Sequence, residues 1–374
     1  MEKNNKIKPL IINFSSEAND APKLNWNKTK GYLEWGDGNM YPQFILNLYN
    51  SKGASMHKSI INRKVKMIAG NGYTGLDNEQ VLNPRTIKKE INKLALDYEL
   101  INSFAVKVVF SNDGFIADFQ HLPINKLRLG YNEEDPNQPL FVWFSHNWNE
   151  TRKEIYKPIA FELFDGVRRG EKVIIYNEYN PEVEFYSLPS YSTGLNWIDL
   201  GGRVSSYHLN QLKNNYNISK IISFNTGIPG EEEQDEFTKA FQKKYKGNEN
   251  AGKIIITFGE DETQQPTVIN LEDGSSDTRF EMLMKQTDLE IVTAHEAPLP
   301  LFIQTPGSLL GTQDRMELVE EWQKTYIDQR QEVIEEVIQD IFMDETFRLL
   351  KYSESEVDRE TEIIEEQTNI EENE

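Results

Sequence analysis

The chain of 374 residues contains no cysteine, which excludes disulfides and thiolate metal sites. Histidine is scarce: His57, His121, His146, His208 and His295 are scattered, and no two of them have the i, i+4 spacing of a helical zinc site. A metal site assembled from distant histidines and carboxylates is unsupported but not excluded, and the expected cofactor complement is none. Long apolar runs are missing too. No stretch comes near the ~18 residues that a membrane span needs, and a hydrophobic fraction of 38% with a mean hydropathy of -0.63 points to a soluble chain without a membrane partner. Met1 to Lys8 is polar and charged, and the apolar stretch Leu10 to Phe14 is too short for a signal peptide, so a cytoplasmic site of synthesis and residence is expected. Positive charge is also in deficit, with 40 Lys and Arg against 61 Asp and Glu and a net charge of -21. Proteins that wrap nucleic acid or read its grooves neutralise phosphates with Lys and Arg, so that class is disfavoured. A protein that lets DNA pass without holding it is not. Part of the excess is local: Ser353 to Glu374 holds ten acidic residues and one basic residue, Arg359, and reads as a solvated, flexible tail.

Two glycine motifs imitate nucleotide-binding loops. Gly247-Asn248-Glu249-Asn250-Ala251-Gly252-Lys253 has the GxxxxGK spacing, yet Ile254 follows the lysine where Ser or Thr would hold magnesium. Its flanks are reversed as well. Phe237, Phe241 and Tyr245 give the preceding segment a helical period, and Ile254 to Phe258 reads as a strand, whereas phosphate binding needs a strand before the loop and a helix after it. Gly70-Asn71-Gly72-Tyr73-Thr74-Gly75 matches GxGxxG, but Ile60, Ile61, Val65 and Ile68 make the segment before it a helix, with Gly70 as its stop.

The first thirty or so residues, rich in Asn and Lys, read as an arm, with order beginning near Tyr32. Helices are predicted from Tyr41 to Tyr49, through Ile60 to Ile68, and from Pro84 to Ile101. A strand-rich middle follows: Ala105 to Phe110, Phe115 to His121, Lys126 to Tyr131, Leu140 to Phe144, Ile159 to Phe164 and Lys172 to Asn177. This is an α+β domain with helices first and one mainly antiparallel sheet after them. From Asn196 the character changes. A helix from Gly202 to Asn215 is followed by a strand at Ile218 to Phe224, a helix at Glu231 to Tyr245, and strands at Lys253 to Phe258 and Thr267 to Leu271. A further helix starts at a Ser276 or Asp277 cap and carries Phe280, Leu283, Met284, Ile291 and Val292. An uncharged loop from Pro298 to Gly311 leads to a final helix from Thr312 to Leu350. At ~1.5 Å per residue that helix would approach ~60 Å, so a bend or packing against neighbouring subunits is expected.

This order of parts, and several local stretches, resemble the portal proteins of tailed bacteriophages, in particular those of phages infecting Bacteroidetes-type hosts. The stretches are Trp35-Gly36-Asp37-Gly38-Asn39-Met40-Tyr41-Pro42, Ser55-Met56-His57-Lys58-Ser59-Ile60-Ile61, Gly70-Asn71-Gly72-Tyr73, Tyr186-Ser187-Leu188-Pro189-Ser190-Tyr191, Asn196-Trp197-Ile198, His208-Leu209-Asn210, Phe224-Asn225-Thr226-Gly227 and Tyr245 to Lys253. The resemblance covers roughly Tyr32 to Leu350. It implies an arm (1–31), a wing (32–200), a first stem helix (201–217), a clip (218–271), a second stem helix (272–297), a tunnel loop (298–311), a long wing helix (312–352) and an acidic tail (353–374). The usual helical crown would be reduced or absent.

What the resemblance implies for function is a non-enzymatic ring, usually dodecameric, at one vertex of the head in the virion, assembled in the host cytoplasm. Double-stranded DNA would pass through it without sequence specificity during packaging and ejection, and it would dock the large terminase subunit, the major capsid protein and head-completion or adaptor proteins. A channel must confine phosphates without binding them, because each Lys or Arg contact releases counterions and holds the polymer. The loop residues Ile303, Gln304, Thr305, Pro306, Gly307, Ser308 and Leu309 suit its narrowest part, since no charged residue occurs from Ala297 to Gln313. The bland alternative is a helix-to-helix connector. Arg279 and Lys285 either face the channel or pair with Glu281, Asp288 or Glu290. Glu231, Glu232 and Glu233 against Lys239, Lys243, Lys244 and Lys246 form either a docking surface for motor or adaptor or a solvated face. His295-Glu296 reads as an acid/base pair or as ordinary polar surface. Two other functions stay open: an adaptor of a prophage-derived particle that packages no genome, and a hydrolase built on a carboxylate pair, for which no GxSxG, HExxH or complete phosphate loop gives a signal.

Overall fold

Pro42 lies in the first turn of helix α1 (Tyr41–Asn47), where its missing N–H breaks no helical hydrogen bond. In the computed structural model this helix runs on through a π turn at Leu48–Lys52, and helix α2 (Ser55–Ala69) and helix α3 (Pro84–Ile101) follow. The structure describes residues 22, 24–27, 30–76, 84–130, 132, 135, 138–213, 220–224, 254–258, 267–270, 276–303 and 312–352. Ile60, Ile61, Met67 and Ile68 of α2 and Ile87, Ile91, Leu94, Ala95 and Tyr98 of α3 are buried, as a 3.6-residue period requires, and the two helices pack together.

Order begins earlier than the expected Tyr32. Strand β1 (Leu24–Asn27) pairs antiparallel with β2 (Tyr32–Trp35), and Trp26 sits edge-on to Phe185 at 5.5 Å. The Trp35-to-Asn39 motif is a packing device. Trp35 is fully buried and stacks on Tyr186 at 4.1 Å, while Asn39 Oδ1 accepts from the Trp35 backbone N–H (3.0 Å) and from Arg128 Nε. The buried Arg128 guanidinium also donates to the carbonyls of Asn39, Asn125 and Leu127 at 3.0, 3.0 and 2.6 Å.

All six predicted central strands are present, but they form two sheets instead of one. Antiparallel order β5-β4-β9 joins Ile116–Leu122 (β5), Ser103–Phe110 (β4) and Gly170–Asn177 (β9); order β6-β7-β8 joins Leu127–Leu129 (β6), Phe141–Phe144 (β7) and Ile159–Glu162 (β8). The division falls at Pro123. Proline supplies no ladder N–H, and a 3-10 turn at Ile124–Lys126 redirects the chain into the second sheet. Helix α3 covers β4 and β5, and the core lies between them. The mixed helix-and-sheet class is the α+β class expected.

Helix α4 spans Leu195–Lys213, so it starts seven positions before the predicted Gly202, and the expected boundary at 200/201 falls inside it. Gly201 and Gly202 inside it serve close approach: a Cβ on Gly202 would stand 1.7 Å from the Lys52 carbonyl oxygen, and one on Gly201 2.6 Å from the Ala54 Cβ. Strands β10 (Lys220–Phe224), β11 (Ile254–Phe258) and β12 (Thr267–Asn270) form a small sheet in the order β11-β10-β12, with β10 parallel to β11 and antiparallel to β12. Helix α5 (Ser276–Ala294) then packs against α4. Two helices thus form a hairpin with a small sheet inserted between them in the chain. The expected helix at Glu231 to Tyr245 and the apolar stretch Leu10 to Phe14 lie outside the described residues.

The long final helix is corrected. After the short α6 (Leu299–Phe302), α7 (Thr312–Trp322) passes through a π turn at Gln323–Ile327 into α8 (Asp328–Phe342), and the helix ends there, not at Leu350. Met343 takes a left-handed conformation (φ 55°), and Asp344 turns the chain by accepting from the Thr346 N–H and hydroxyl. Arg348–Leu350 becomes strand β13, antiparallel to β3 (Gly72–Thr74). This pairing explains the GxGxxG imitation: Gly70 has φ 57°, and a Cβ there would stand 1.7 Å from the Leu350 carbonyl oxygen. The last helical segment, 31 residues with its π turn, is nearer ~46 Å than ~60 Å.

Candidate channel segment and the buried polar junction behind it

Of the expected tunnel loop, the structure describes Pro298 to Ile303. His295 and Glu296 follow the end of α5 at Ala294, and there Glu296 takes φ 52° and the Ala297 N–H bonds back to the Val292 carbonyl at 3.2 Å. Pro298 then opens α6, whose Leu301 is buried and whose Phe302 meets Trp322 edge-on at 5.8 Å with the Arg63 guanidinium 5.6 Å from its ring. Ile303 is half-buried at the end of this anchor. Gln304, Thr305, Pro306, Gly307, Ser308 and Leu309 lie outside the described residues, as do Glu231, Glu232, Glu233, Lys239, Lys243, Lys244 and Lys246 and the side chain of Arg279. Lys285 is exposed on α5 and pairs with Glu281 at 2.8 Å, one of the partners its i, i+4 spacing offers. That bond holds the Glu281 carboxyl below its ordinary value. On the same hairpin, Leu209 of α4 and Met282 and Leu289 of α5 are exposed apolar side chains.

Behind the anchor is a junction of buried polar groups. His295 is not surface, as one sequence reading had it, and not paired with Glu296 for acid/base work. It is 1% exposed, and its Nε2 lies 2.9 Å from Nδ1 of His57, which is fully buried in α2. Tyr191 packs on both rings, at 4.9 Å from His57 and 4.5 Å from His295, and donates its hydroxyl to the Leu100 carbonyl at 2.8 Å. One imidazole donates and the other accepts, so the link requires a neutral ring on the accepting side. Burial, followed by the charge of Lys64, pushes His57 down to about 3, and the same causes with His57 itself hold His295 well below its ordinary value.

The charged half of the junction begins two turns along α2, at Lys64. Lys64 has no exposed side-chain surface; its Nζ lies 3.4 Å from Glu99 Oε2 and 3.7 Å from the centre of the Tyr326 ring. Glu99, equally buried, accepts from the Tyr326 hydroxyl at 3.1 Å and pairs with Arg330 Nε at 3.8 Å. Arg330 reaches on to Glu178 (3.3 Å) and lies 4.3 Å from the Tyr98 ring, whose hydroxyl donates to the same Glu178 at 2.8 Å. Burial holds the Lys64 ammonium below its ordinary range, and the Glu99 charge pulls it back up. The cluster ties α2, α3, the end of β9 and α8 into one unit next to the loop's anchor. Its chemistry is internal, because Lys64 and Glu99 are closed off from solvent. Among the described residues no group of three or more His, Cys, Asp or Glu is placed to hold a metal ion, and no helix is long and apolar enough to cross a membrane.

Sequence reasoning missed this junction, although one signal was available. Lys64 occupies the apolar stripe of α2 between Ile60, Ile61, Met67 and Ile68, and Glu99 lies next to Tyr98 on a helix whose neighbours are nearly all buried. A charge inside an apolar stripe announces a buried partner.

In sequence the chain matches none of the protein-family profiles and none of the curated proteins. Solved structures do match. A chain in the virion of a native gene transfer agent particle is similar with a TM-score of 0.55 and 11% identity, covering 94% of this chain and 92% of that one. A chain in the neck of an empty gene transfer agent particle, computed with C6 symmetry, gives a TM-score of 0.52 at 11% identity, over 87% of this chain and 84% of that one. The HK97 family phage portal protein from Corynebacterium diphtheriae gives a TM-score of 0.48 at 10% identity, over 79% of this chain and 91% of that one. The first two share the fold over nearly the whole length of both chains.

Proposed function

We propose that the chain is the subunit of a portal-type ring, a non-enzymatic conduit at one vertex of a phage or phage-like head through which double-stranded DNA passes. The observation that carries this reading is a fold shared almost end to end with chains of gene transfer agent virions and necks. The hairpin of α4 and α5 supports it: two long helices with a small sheet inserted between them and apolar side chains, Leu209, Met282 and Leu289, left at the surface for a neighbouring copy to cover. A ring of many copies needs such a heterologous contact, because a closed cycle repeats one unlike pair of faces.

Within this reading α4 and α5 are the stem helices, the sheet of β10, β11 and β12 belongs to the clip, and the segment after Phe302 borders the channel. Its lack of charge lets Gln304, Thr305 and Ser308 touch DNA without an ionic grip. The remaining partners follow as part of the proposal: twelve copies in the ring, the large terminase subunit and adaptor proteins at the clip, and the major capsid protein at the wing.

The test uses the absence of native cysteine. Gln304→Cys gives the chain a single thiol, to be labelled with a heavy-atom cluster and located by single-particle imaging of the assembled particle. A closed ring with the label at the lumen is expected. A label on the outer rim, or a chain that is monomeric under every condition and absent from particles, refutes the reading.

A further inference from the structure

The stretch from His295 to Ile303 is held to the rest of the fold by side chains. Its described backbone hydrogen bonds close within α5 and α6: the N–H of His295 donates to the Ile291 carbonyl (3.1 Å), Ala297 to Val292 (3.2 Å), Leu301 to Pro298 (3.0 Å) and Ile303 to Leu299 (2.8 Å). Outward, the stretch is fixed by the His295 ring on His57, by the buried Leu301, and by Phe302 against Trp322 and Arg63. Glu296 turns the chain at φ 52°, a left-handed conformation uncommon outside glycine. Helix α6 has four residues, too few to stay helical away from its support. Of these outward contacts, the imidazole pair alone gains charge between pH 7 and pH 5.

The two rings share one inner proton, so an added proton goes to an outer nitrogen, His57 Nε2 or His295 Nδ1, both buried and without a hydrogen-bond partner among the described residues. A second added proton sets two N–H groups face to face. The surroundings offer no compensating charge. On α2 the nearest charge is the Lys64 ammonium, which acts on both rings. Glu99 of α3 is already shared by Lys64 and by Arg330 of α8, and Glu296 acts on Lys64 from the turn after α5. Tyr191, with Tyr41 and Tyr326 near it, is held neutral by burial. On α4, Asp199 and Arg203 pair with each other at 2.6 Å, and α6 carries no charge. We propose that the His57–His295 link is a proton-sensitive latch: it seats the end of α5 and helix α6 on α2, and proton uptake by the rings releases that stretch while the rest of the fold stays closed. The latch does not rest on the ring reading. Within that reading it ties the seat of the segment bordering the channel to pH.

Amide hydrogen exchange of the full-length chain from pH 7 to pH 5, corrected for intrinsic rates and repeated at several low urea concentrations, tests this. A ring freed by opening titrates near ~6.5, so the open population rises about 25-fold per ring over this interval and ~600-fold for two. Protection at Ala297, Leu301 and Ile303 should fall by that ~600-fold, with little dependence on urea, because a local opening exposes little surface. The amides of Ser111 and Gly114 in the β4–β5 turn, whose opening leaves both rings closed, should keep their protection. The β4–β9 ladder should exchange only through urea-sensitive unfolding. His57→Gln and His295→Gln each leave one titrating ring, and the fall should shrink to about 25-fold. Should either variant fail to fold, the pH series of the parent decides by itself. Protection at Ala297, Leu301 and Ile303 that does not change with pH overturns the proposal. So does a fall whose urea dependence equals that of the β4–β9 ladder, since the rings would then charge only when the whole chain unfolds.

Discussion

Acid should loosen the contact between α2 and the end of α5 well before it titrates most carboxylates. The perturbation is protonation of the His57–His295 pair, whose nitrogens lie 2.9 Å apart in a closed site beside Lys64. The folded value for His57 is pushed down to about 3, whereas the unfolded ring titrates near ~6.5. The sign follows from proton counting. Between these values the unfolded chain binds the proton and the folded chain does not, so the stability contributed by the neutral ring is whole above about pH 6.5 and declines as pH falls toward 3. Each histidine contributes a slope of at most ~1.4 kcal/mol per pH unit, which for His57 amounts to ~2 kcal/mol at pH 5 and approaches ~5 kcal/mol by pH 3. His295 is lowered by the same burial and adds to the slope.

The assay is urea unfolding from pH 8 to pH 5 at one protein concentration, which keeps any assembly equilibrium fixed. The parent is compared with His57→Leu/His295→Leu. Because the variant loses the hydrogen bond, its absolute stability changes; the diagnostic is the slope. The parent should lose roughly 1.5 to 4 kcal/mol between pH 7 and pH 5, and the variant should be nearly flat across that interval. Equal slopes in the two proteins would refute the reasoning. An imidazole nitrogen spectrum at pH 6 gives a second check, with both rings neutral and one hydrogen bond linking them.

Three further predictions come from other parts of the molecule. Glu99→Gln removes the carboxylate that Lys64 and Arg330 share and leaves buried cations without compensation, so a loss of about 3–5 kcal/mol is expected in chemical denaturation, with partial recovery in Glu99→Gln/Lys64→Met. Gly70→Ala places a Cβ against the Leu350 carbonyl at a φ of 57° that suits glycine; a loss of about 2 kcal/mol or more and faster amide exchange at Gly72–Thr74 and Arg348–Leu350 should follow. Arg128→Lys keeps the charge but not the fork that reaches Asn39, Asn125 and Leu127, so it should cost about 2 kcal/mol or more and shift the Trp35 fluorescence; an unchanged melting temperature would count against the staple.

The periodic parts of the fold were legible because they obey local rules. The bounds of α3 follow from Pro84 and from the stripe Ile87, Ile91, Leu94 and Tyr98. Both nucleotide-loop imitations were rejected on context, and the structure bears out two of the neighbouring elements used for that: the helix ending at Gly70 and the strand at Ile254–Phe258. What failed depended on distant partners. Phe347, Leu349 and Leu350 continue an apolar pattern that a helix from Thr312 would accept, and only Asp344, which bonds Thr346 and the Leu76 N–H, diverts them into a strand against Gly72–Thr74. Nothing near residue 344 in sequence reveals a strand near residue 73.

The junction behind the loop anchor shows the same limit more sharply. His57 and His295 are 238 positions apart, and each alone is an unremarked histidine. Their meeting depends on α5 returning antiparallel to its starting region after the inserted sheet, which brings its last turn onto α2. The charged cluster takes Tyr326 from the π turn at Gln323–Ile327 and Arg330 from the helix just after it, and both reach Glu99 from one continuous helical segment. Tyr326→Phe isolates what this turn contributes, because it removes the hydroxyl that Glu99 accepts from and leaves Lys64 and Arg330 in place. The expected outcome is a protein with α-helical content retained and a stability loss of about 1 kcal/mol, well below that of Glu99→Gln, since no buried charge loses its ion partner. A variant as stable as the parent in chemical denaturation would mean that the Tyr326 hydroxyl is incidental to the junction.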